Sequence, residues 1–283
     1  MSHALRSGAI CVVWLGVVGI VSVAEAGRIQ VELNGTVQAD GFNNIATPTN
    51  LGTVIIGAPS LANTTSYRLI NQSPPVAGNP RSASLTAAGH ASVSPTSVSL
   101  ANGVFSPFLS LGLSTTAVGA RSGSVTIATT SSGPADLTDV IHLAGTVLDH
   151  SNASFNGTLD QNSLVFDFGT LGVGGPTQSQ TLSLTNLVTT SGFTAGLDLD
   201  SISGTGDTGV LTTNLALFSN LAAGSSSFFD IFFDRSTIGS FSAVYTLSLS
   251  DQDLPGATVQ LLTLTLLGDV VPEPSSIALL GMG

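Results

Sequence analysis

The 283-residue chain contains no lysine, and charged residues make up only 8% of it. Six arginines stand against 17 acidic residues, which gives a formal net charge of −11. Nucleic acids and anionic lipids are bound through clustered basic side chains, so this composition argues against both as partners. The many aliphatic residues together with the low charge also argue against a disordered chain.

Cysteine and tryptophan are each present once, as Cys11 and Trp14, inside the apolar N-terminus. The chain after this segment therefore has no disulfide and no thiol chemistry. Sugar-binding sandwiches commonly offer aromatic platforms, yet only Tyr67 and Tyr245 join the phenylalanines here, each inside a predicted strand. A lectin is therefore disfavoured. The later histidines are scattered without the spacing of a metal site.

The N-terminus has the pattern of a secretory signal peptide. One positive charge within residues 1–6 precedes a nearly unbroken apolar run over residues 7–23. Ala24 and Ala26 then supply the small residues that determine cleavage. We expect the mature chain to begin at Gly27. A retained membrane anchor is the alternative, and the Ala-x-Ala site argues against it.

An internal repeat organises the rest of the chain. Residues 51–59 lead to a strand ending at Asn71, and residues 168–176 lead to a strand ending at Asn186, with matching Gly-Thr segments. Three pairs of glycines match between the copies, Gly52 with Gly169, Gly119 with Gly239, and Gly145 with Gly268. The two copies are 117 residues apart at the first of these pairs and 123 at the last. A period of this length indicates a duplicated domain.

Each copy is predicted to be an all-β sandwich, because alternating apolar and polar residues are separated by Gly-rich or Asp-rich turns. The second copy is predicted to contain seven strands, over 164–168, 181–185, 193–199, 215–219, 227–233, 242–250 and 259–267. Seven short strands in one copy are typical of an immunoglobulin-like sandwich. The Cys-Trp-Cys core of antibody domains is absent, so aliphatic residues and phenylalanine must form the core.

Four short motifs of the second copy sharpen this prediction. They are Phe168 to Gly174, Leu182 to Asn186, Leu221 to Ser226 and Thr237 to Ser242. In this order they resemble the choice-of-anchor D domains of exported bacterial proteins, which implies surface display without a general catalytic activity. The first copy keeps fewer of the motifs and is predicted to have lost the Leu-Ala-x-Gly-Ser-Ser turn.

The chain closes on Val271, Pro272, Glu273 and Pro274, followed by an apolar run from Ile277 to Gly283. The prolines remove two backbone donors and fix φ, so a protease could meet an extended segment here. This stretch resembles the PEP-CTERM sorting signal of bacterial surface proteins. It departs from the signal because the apolar run is shorter than the ~20 residues that span a bilayer, and no basic residue follows. A frayed, proline-bounded terminus is the alternative.

The resemblance implies processing by an exosortase-type membrane protease, with transient membrane anchoring and delivery to the bacterial cell surface or extracellular matrix. Exopolysaccharide or other surface proteins are then the expected partners. The predicted organisation is a signal peptide over residues 1–26, a first sandwich over 27–150, a second over 151–269 and a sorting tail over 270–283. We expect a non-catalytic protein with a structural or adhesive role.

Acidic residues are concentrated in the second copy, where ten aspartates face one arginine between residues 151 and 271. The candidate ligands for calcium are Asp198, Asp200, Asp207, Asp251 and Asp253, which are predicted to lie on loops where carboxylate oxygens could converge. The order of residues does not match an EF-hand. Solvated turns are the alternative, since aspartate also favours turns by bonding nearby backbone amides. A calcium-dependent binding module is therefore the second functional hypothesis.

The segment Phe228 to Phe233 is apolar on both of its predicted faces. Phe229, Ile231 and Phe233 share one face of the strand, and Phe228 and Phe232 share the other. We expect the second face to be buried at the edge of the sandwich. A contact with another chain is the alternative.

Overall fold

A computed structural model of the chain describes residues 28–72, 80–130 and 137–273. The predicted signal peptide, with Ala24 and Ala26, lies outside the described residues. So does the part of the predicted tail that begins at Pro274. The described residues form β-strands joined by turns and loops, in agreement with the all-β prediction.

The first sandwich contains eleven strands, most of them rich in Val, Ile, Leu and Thr. They are β1 (Ile29–Leu33), β2 (Thr36–Val37), β3 (Thr49–Ile55), β4 (Leu61–Asn63), β5 (Tyr67–Asn71), β6 (Arg81–Gly89), β7 (Ala91–Ser94), β8 (Ser97–Leu100), β9 (Ser110–Leu113), β10 (Gly119–Thr129) and β11 (Asp139–Leu148).

The second sandwich contains nine strands, several of them longer than those of the first. They are β12 (Ala153–Ser154), β13 (Ser163–Gly172), β14 (Gln178–Asn186), β15 (Leu197–Gly206), β16 (Leu211–Thr213), β17 (Phe218–Leu221), β18 (Ser226–Phe233), β19 (Gly239–Asp251) and β20 (Val259–Val271).

Each sandwich has one five-stranded sheet of the same design. The strand order is β3-β11-β10-β6-β8 in the first sandwich and β13-β20-β19-β15-β17 in the second. In the first sheet the edge strand β3 runs parallel to its neighbour β11, and in the second the edge strand β13 runs parallel to its neighbour β20. All other neighbouring strands are antiparallel. Two immunoglobulin-like β-sandwiches therefore follow one another along the chain.

The opposing layers differ between the two sandwiches. In the second, β12-β14-β18-β16 form one sheet, whose central strands β14 and β18 pair without interruption from Gln178 to Thr185. In the first, the layer is divided into the sheets β2-β1-β5 and β4-β9-β7. Pro107 lies in the segment facing β5 and has no N–H to donate. The Ser106 hydroxyl accepts the Leu69 N–H at 2.9 Å in this segment, where a ladder would use a backbone carbonyl.

Each sandwich encloses its own apolar core. The first core extends from Ile29 to Val147, and the second from Ala153 to Val270. Alternation along the long strands explains the second core well, since every other residue of β19 from Ala243 to Leu249 is buried. The two clusters share no residue, so each sandwich has an apolar core of its own.

The matched glycines of the repeat have the same local geometry in both copies. Gly52 and Gly169 both adopt positive φ, at 95° and 72°. Each donates its N–H to the side chain two residues earlier, Asn50 at 2.9 Å and Asp167 at 2.8 Å. The register of the parallel pair shifts at the same place in both sheets. These positions require glycine because other residues rarely adopt this φ.

The predicted loss of the Leu-Ala-x-Gly-Ser-Ser turn from the first copy is wrong for its first four residues. The turn over residues 100–103 has the geometry of the turn over residues 221–224. Gly103 and Gly224 have φ of 73° and 77° and donate to the carbonyls of Asn71 and Asn186 at 2.8 and 2.6 Å. Both asparagine side chains are buried, and they donate to the carbonyls that begin the two turns, those of Leu100 and Leu221, at 2.9 and 3.0 Å. Only the two serines after the glycine have been replaced.

Two predicted strands of the second copy are displaced. The strand predicted over residues 215–219 is found as β17, Phe218–Leu221. The strand predicted over residues 193–199 is found as β15, which begins at Leu197 and continues to Gly206. The register shifts between Leu199 and Ser201, next to Asp200, and β15 pairs with β19 on both sides of this shift. Such a bulge resembles a polar loop in the sequence, because its residues are exposed and do not alternate.

Candidate functional site

The sorting motif begins where the last strand ends. Val271 is the final residue of β20 and is 40% exposed, and its carbonyl accepts the Val173 N–H at 2.9 Å. Pro272 and Glu273 follow directly and are exposed. Pro274, the fourth residue of the motif, lies outside the described residues. The chain therefore leaves the sandwich at the end of an inner strand of the five-stranded sheet, beside the end of the edge strand β13.

The five calcium candidates do not form one group. Asp198 and Asp200 lie within β15, Asp207 follows that strand, Asp251 ends β19 and Asp253 lies in the next loop. The prediction that Asp198, Asp200 and Asp251 lie on loops is wrong. In the described part of the chain, no three His, Cys, Asp or Glu side chains are grouped so that they could hold a metal ion.

Three of these carboxylates bind backbone N–H groups of neighbouring segments. Asp198 accepts the N–H of Asn220, and Asp207 accepts that of Ser242 at 2.9 Å. Asp251 accepts those of Ser151 and Thr258 at 2.6 and 2.9 Å. Such bonds stabilise the local backbone and occupy oxygens that a calcium ion would need. Asp207 also lines an open groove with Asp167 and Asp269, two aspartates that were not among the predicted calcium ligands.

Asp251 is the most densely bonded carboxylate of the described chain. It is 2% exposed and accepts five hydrogen bonds, two each from Ser151 and Thr258 and one from His150 Nδ1 at 2.8 Å. Burial by itself would raise the pKa of Asp251, but the hydrogen bonds outweigh it and hold the pKa below the usual value. The carboxylate is thus stabilised in its charged form.

The His150 and Asp251 pair has one feature of a Ser-His-Asp triad, a carboxylate on Nδ1. A triad places its nucleophile at the other ring nitrogen, Nε2. Here the hydroxyl of Thr258 lies 3.1 Å from Nδ1, and the hydroxyl of Ser151 bonds to the carboxylate. Both hydroxyls therefore lie on the Nδ1 side of the imidazole, where they bond to the Asp251 carboxylate, and neither is in the position of a nucleophile at Nε2.

Phe228 is the most exposed large apolar residue of the described chain, at 73%. The predicted alternation of β18 is confirmed, since Phe229, Ile231 and Phe233 are buried. The expected burial of the other face is wrong for Phe228. The residue opposite it on β14 is Ser183, which is too small to cover an aromatic ring.

The outer surface of the second five-stranded sheet carries a grid of hydroxyl groups, named here the hydroxyl face. Ser201 pairs with Ser248, and Thr246 pairs with Ser203 on one side and Thr263 on the other, while Val244 lies between Thr205 and Thr265. Along β19 and β20 the hydroxyl residues alternate with core residues. Its members are Ser201, Ser203, Thr205, Thr246, Ser248, Ser250, Thr263 and Thr265. The exposed side chains of Val165, Val259 and Leu261 adjoin it. The sequence did not predict this surface, although the alternation of Ser and Thr along β19 was a signal for it.

Within the described residues, no helix is long and apolar enough to cross a membrane. No protein-family model and no curated protein matches the chain.

Among solved structures, the chain is similar to mouse cadherin-23 EC22-24, with 14% identity and a TM-score of 0.43 over 87% of this chain and 67% of that one. It is also similar to a mutant of the CFA/I enterotoxigenic E. coli adhesin CfaE, with 9% identity and a TM-score of 0.34 over 87% of each chain. A third is PapD-like domain 7 of human CEP192, with 13% identity and a TM-score of 0.33 over 43% of this chain and 86% of that one. These values support no conclusion about function.

Proposed function

We propose that this protein is a non-catalytic, exported protein of the bacterial cell surface or extracellular matrix, with a structural or adhesive role. An exosortase-type membrane protease recognises the segment from Val271 to Pro274 after transient membrane anchoring. The two sandwiches are the part that remains displayed.

The observation that carries this proposal is the position of the motif. Pro272 cannot continue the ladder of β20, so regular structure ends at the residue where the motif begins. Pro272 and Glu273 are exposed, and the preceding strand is held on both sides by β13 and β19. A protease could therefore bind the extended segment without unfolding the sandwich.

The chemistry of the described side chains supports a role without catalysis. The pair of His150 and Asp251, although bonded to hydroxyl groups, uses its bonds to connect two parts of the fold. The hydroxyl face offers neutral donors and acceptors beside small apolar patches. Such a surface suits uncharged polar partners, for which exopolysaccharide and other surface proteins are the expected classes.

The test of the sorting step compares two variants in the native cells. The double variant Pro272→Ala, Pro274→Ala restores the backbone donors and removes the fixed φ of the motif. We expect it to accumulate in the membrane fraction as an unprocessed form, whereas the wild type reaches the surface or the medium. The measurement is immunoblotting of cytoplasm, membrane, surface and medium.

Pro80→Ala is the matched control, because Pro80 is an exposed proline outside the motif. It should be distributed as the wild type is. Equal distribution of all three proteins would refute recognition of the motif. A wild type held in the cytoplasm at full length would refute export itself.

A further inference from the structure

Three sets of contacts hold the junction between the two sandwiches, and the first involves the linker, residues 149–152, between β11 and β12. Asp149 follows the last strand of the first sandwich and pairs with a segment of the second. Its N–H donates to the Phe193 carbonyl at 2.6 Å, and its carbonyl accepts the Ala195 N–H at 2.9 Å. Its side chain accepts the Thr190 hydroxyl at 2.6 Å. The linker is thus bonded to the second sandwich as soon as it leaves the first.

The second connection is made by Asp251. One of its oxygens accepts the N–H and the hydroxyl of Ser151, at 2.6 and 2.8 Å. The other accepts His150 Nδ1 together with the N–H and hydroxyl of Thr258. His150 and Ser151 belong to the linker, and Thr258 closes the loop between β19 and β20. One buried carboxylate therefore bonds the linker and this loop to each other.

The third connection is the same loop, residues 252–258, against the first sandwich. The Pro255 carbonyl accepts the N–H of Ile55, the buried last residue of β3, at 2.9 Å. Gly256 has φ of 95°, and a Cβ on it would lie 2.6 Å from the Ile55 carbonyl oxygen. Close contact between the loop and the first sandwich therefore requires glycine at this position.

We propose that Asp251 and the loop 252–258 are a latch that fixes the angle between the two sandwiches. Relative motion is the usual behaviour of tandem domains with small interfaces. Here a change of angle would separate Pro255 from Ile55, or it would pull the linker from a buried carboxylate and leave that charge without its donors. Charge-assisted bonds of this kind are strong, and unpaired buried charge is costly. The protein is therefore a stiff two-domain rod, a property that does not depend on the sorting proposal.

The test measures the distance between the sandwiches in the full chain, with Cys11→Ser so that introduced thiols are unique. Spin labels at Ala117→Cys and Thr237→Cys, both exposed, report on one sandwich each. Double electron–electron resonance then gives the distribution of distances. We expect one narrow distribution for the parent protein and at least a twofold broader one for Asp251→Ala.

Asp253→Ala is the matched control, since Asp253 is an exposed aspartate of the same loop. It should keep the narrow distribution. If Asp251→Ala remains folded by circular dichroism and keeps the parent width, the latch is refuted. A broad distribution in the parent protein would refute it as well.

A second variant decides the question if Asp251→Ala fails to fold. Gly256→Ala leaves every donor of Asp251 in place and pushes the loop away from Ile55. We expect a shifted or broadened distance distribution with the circular dichroism of the parent. An unchanged distribution would show that the loop does not set the angle.

Discussion

The two sandwiches share their turns and differ in their layers. Both have a parallel edge strand with a glycine at the same register shift, and both have a buried asparagine that closes a Leu-Ala-x-Gly turn. The first has a divided layer beside Pro107, while the second has a continuous one. The two sandwiches have the same turn geometry where the backbone conformation requires glycine. Their layers differ where several different side chains can fill the same space.

The clearest difference in packing surrounds a pair of matched glycines. A Cβ on Gly268 would lie 2.5 Å from the ring of Phe233, whereas a Cβ on Gly145 would meet Leu61 at 2.6 Å and Leu113 at 3.4 Å. Phe233 also packs with Phe168 and Phe241, at ring centroid distances of 5.4 and 6.0 Å. One aromatic ring of the second sandwich thus fills the space that two leucines fill in the first.

The largest expected effect comes from removing that ring. Phe233→Ala should destabilise the second sandwich by about 4 kcal/mol, because it deletes a buried side chain at the centre of a ring cluster. Leu113→Ala should cost the first sandwich about 2–3 kcal/mol, since Leu61 remains. Urea unfolding followed by tyrosine fluorescence separates the two when one tyrosine is replaced by phenylalanine in each background, so that Tyr67 or Tyr245 alone reports on its own sandwich. A larger loss from Leu113→Ala would contradict this comparison.

The shared turns predict matched losses. Asn71→Ala and Asn186→Ala should each destabilise their own sandwich by about 2–3 kcal/mol, because a buried turn carbonyl loses its donor. The same urea experiment measures both. Losses differing by more than about 1.5 kcal/mol would show that the two turns are not equivalent.

Alanine substitution of the matched glycines Gly145 and Gly268 should destabilise the two sandwiches by different amounts. Gly268→Ala should cost about 2–3 kcal/mol, because the ring of Phe233 is held by its neighbours. Gly145→Ala should cost about 1 kcal/mol, because the end of the Leu61 side chain can rotate away. Thermal unfolding of both variants checks the order, and equal losses would contradict the account of this packing.

Acid should loosen the junction through Asp251. Its pKa is lowered in the folded protein, so its contribution to stability is complete above the ordinary value of about 3.9 and disappears as the pH falls through the folded pKa. Between neutral and acidic pH, the free energy of unfolding should therefore fall more for the wild type than for Asp251→Ala. Parallel pH dependence of the two proteins would contradict this role.

The smallest effect concerns two of the exposed phenylalanines, one from each sandwich. Phe108 and Phe228 each precede a buried alternating segment, but Arg68 lies over the Phe108 ring at 5.3 Å, whereas Ser183 stands opposite Phe228. Phe228→Ser should change stability by less than about 0.5 kcal/mol, and Phe108→Ser should cost about 0.5–1 kcal/mol. Thermal unfolding measures both, and a larger cost at Phe228 would show that its ring is covered.

The sequence predicted the features that depend on local patterns. The alternation of β18 was predicted correctly, because the strand period leaves a direct trace in residue type. Gly52 and Gly169 were matched across the repeat, and the structure shows that both adopt positive φ. The continuation of β15 past Asp200 was missed, because its bulge places exposed polar residues where alternation is expected. The role of Asp251 was also missed. Its partner Ser151 is 100 residues away, and no pattern distinguishes a solvated turn aspartate from a buried acceptor.

The central claim is that the two sandwiches are exported and that the motif after β20 is their sorting signal. Intact mass spectrometry of the protein recovered from the surface and medium of the native cells tests this claim most directly. The account predicts a chain that begins at Gly27 and ends near Pro272 or Pro274, with any lipid or glycan visible as added mass. A mass that includes residues 1–26, or that extends unmodified through Gly283, would contradict it.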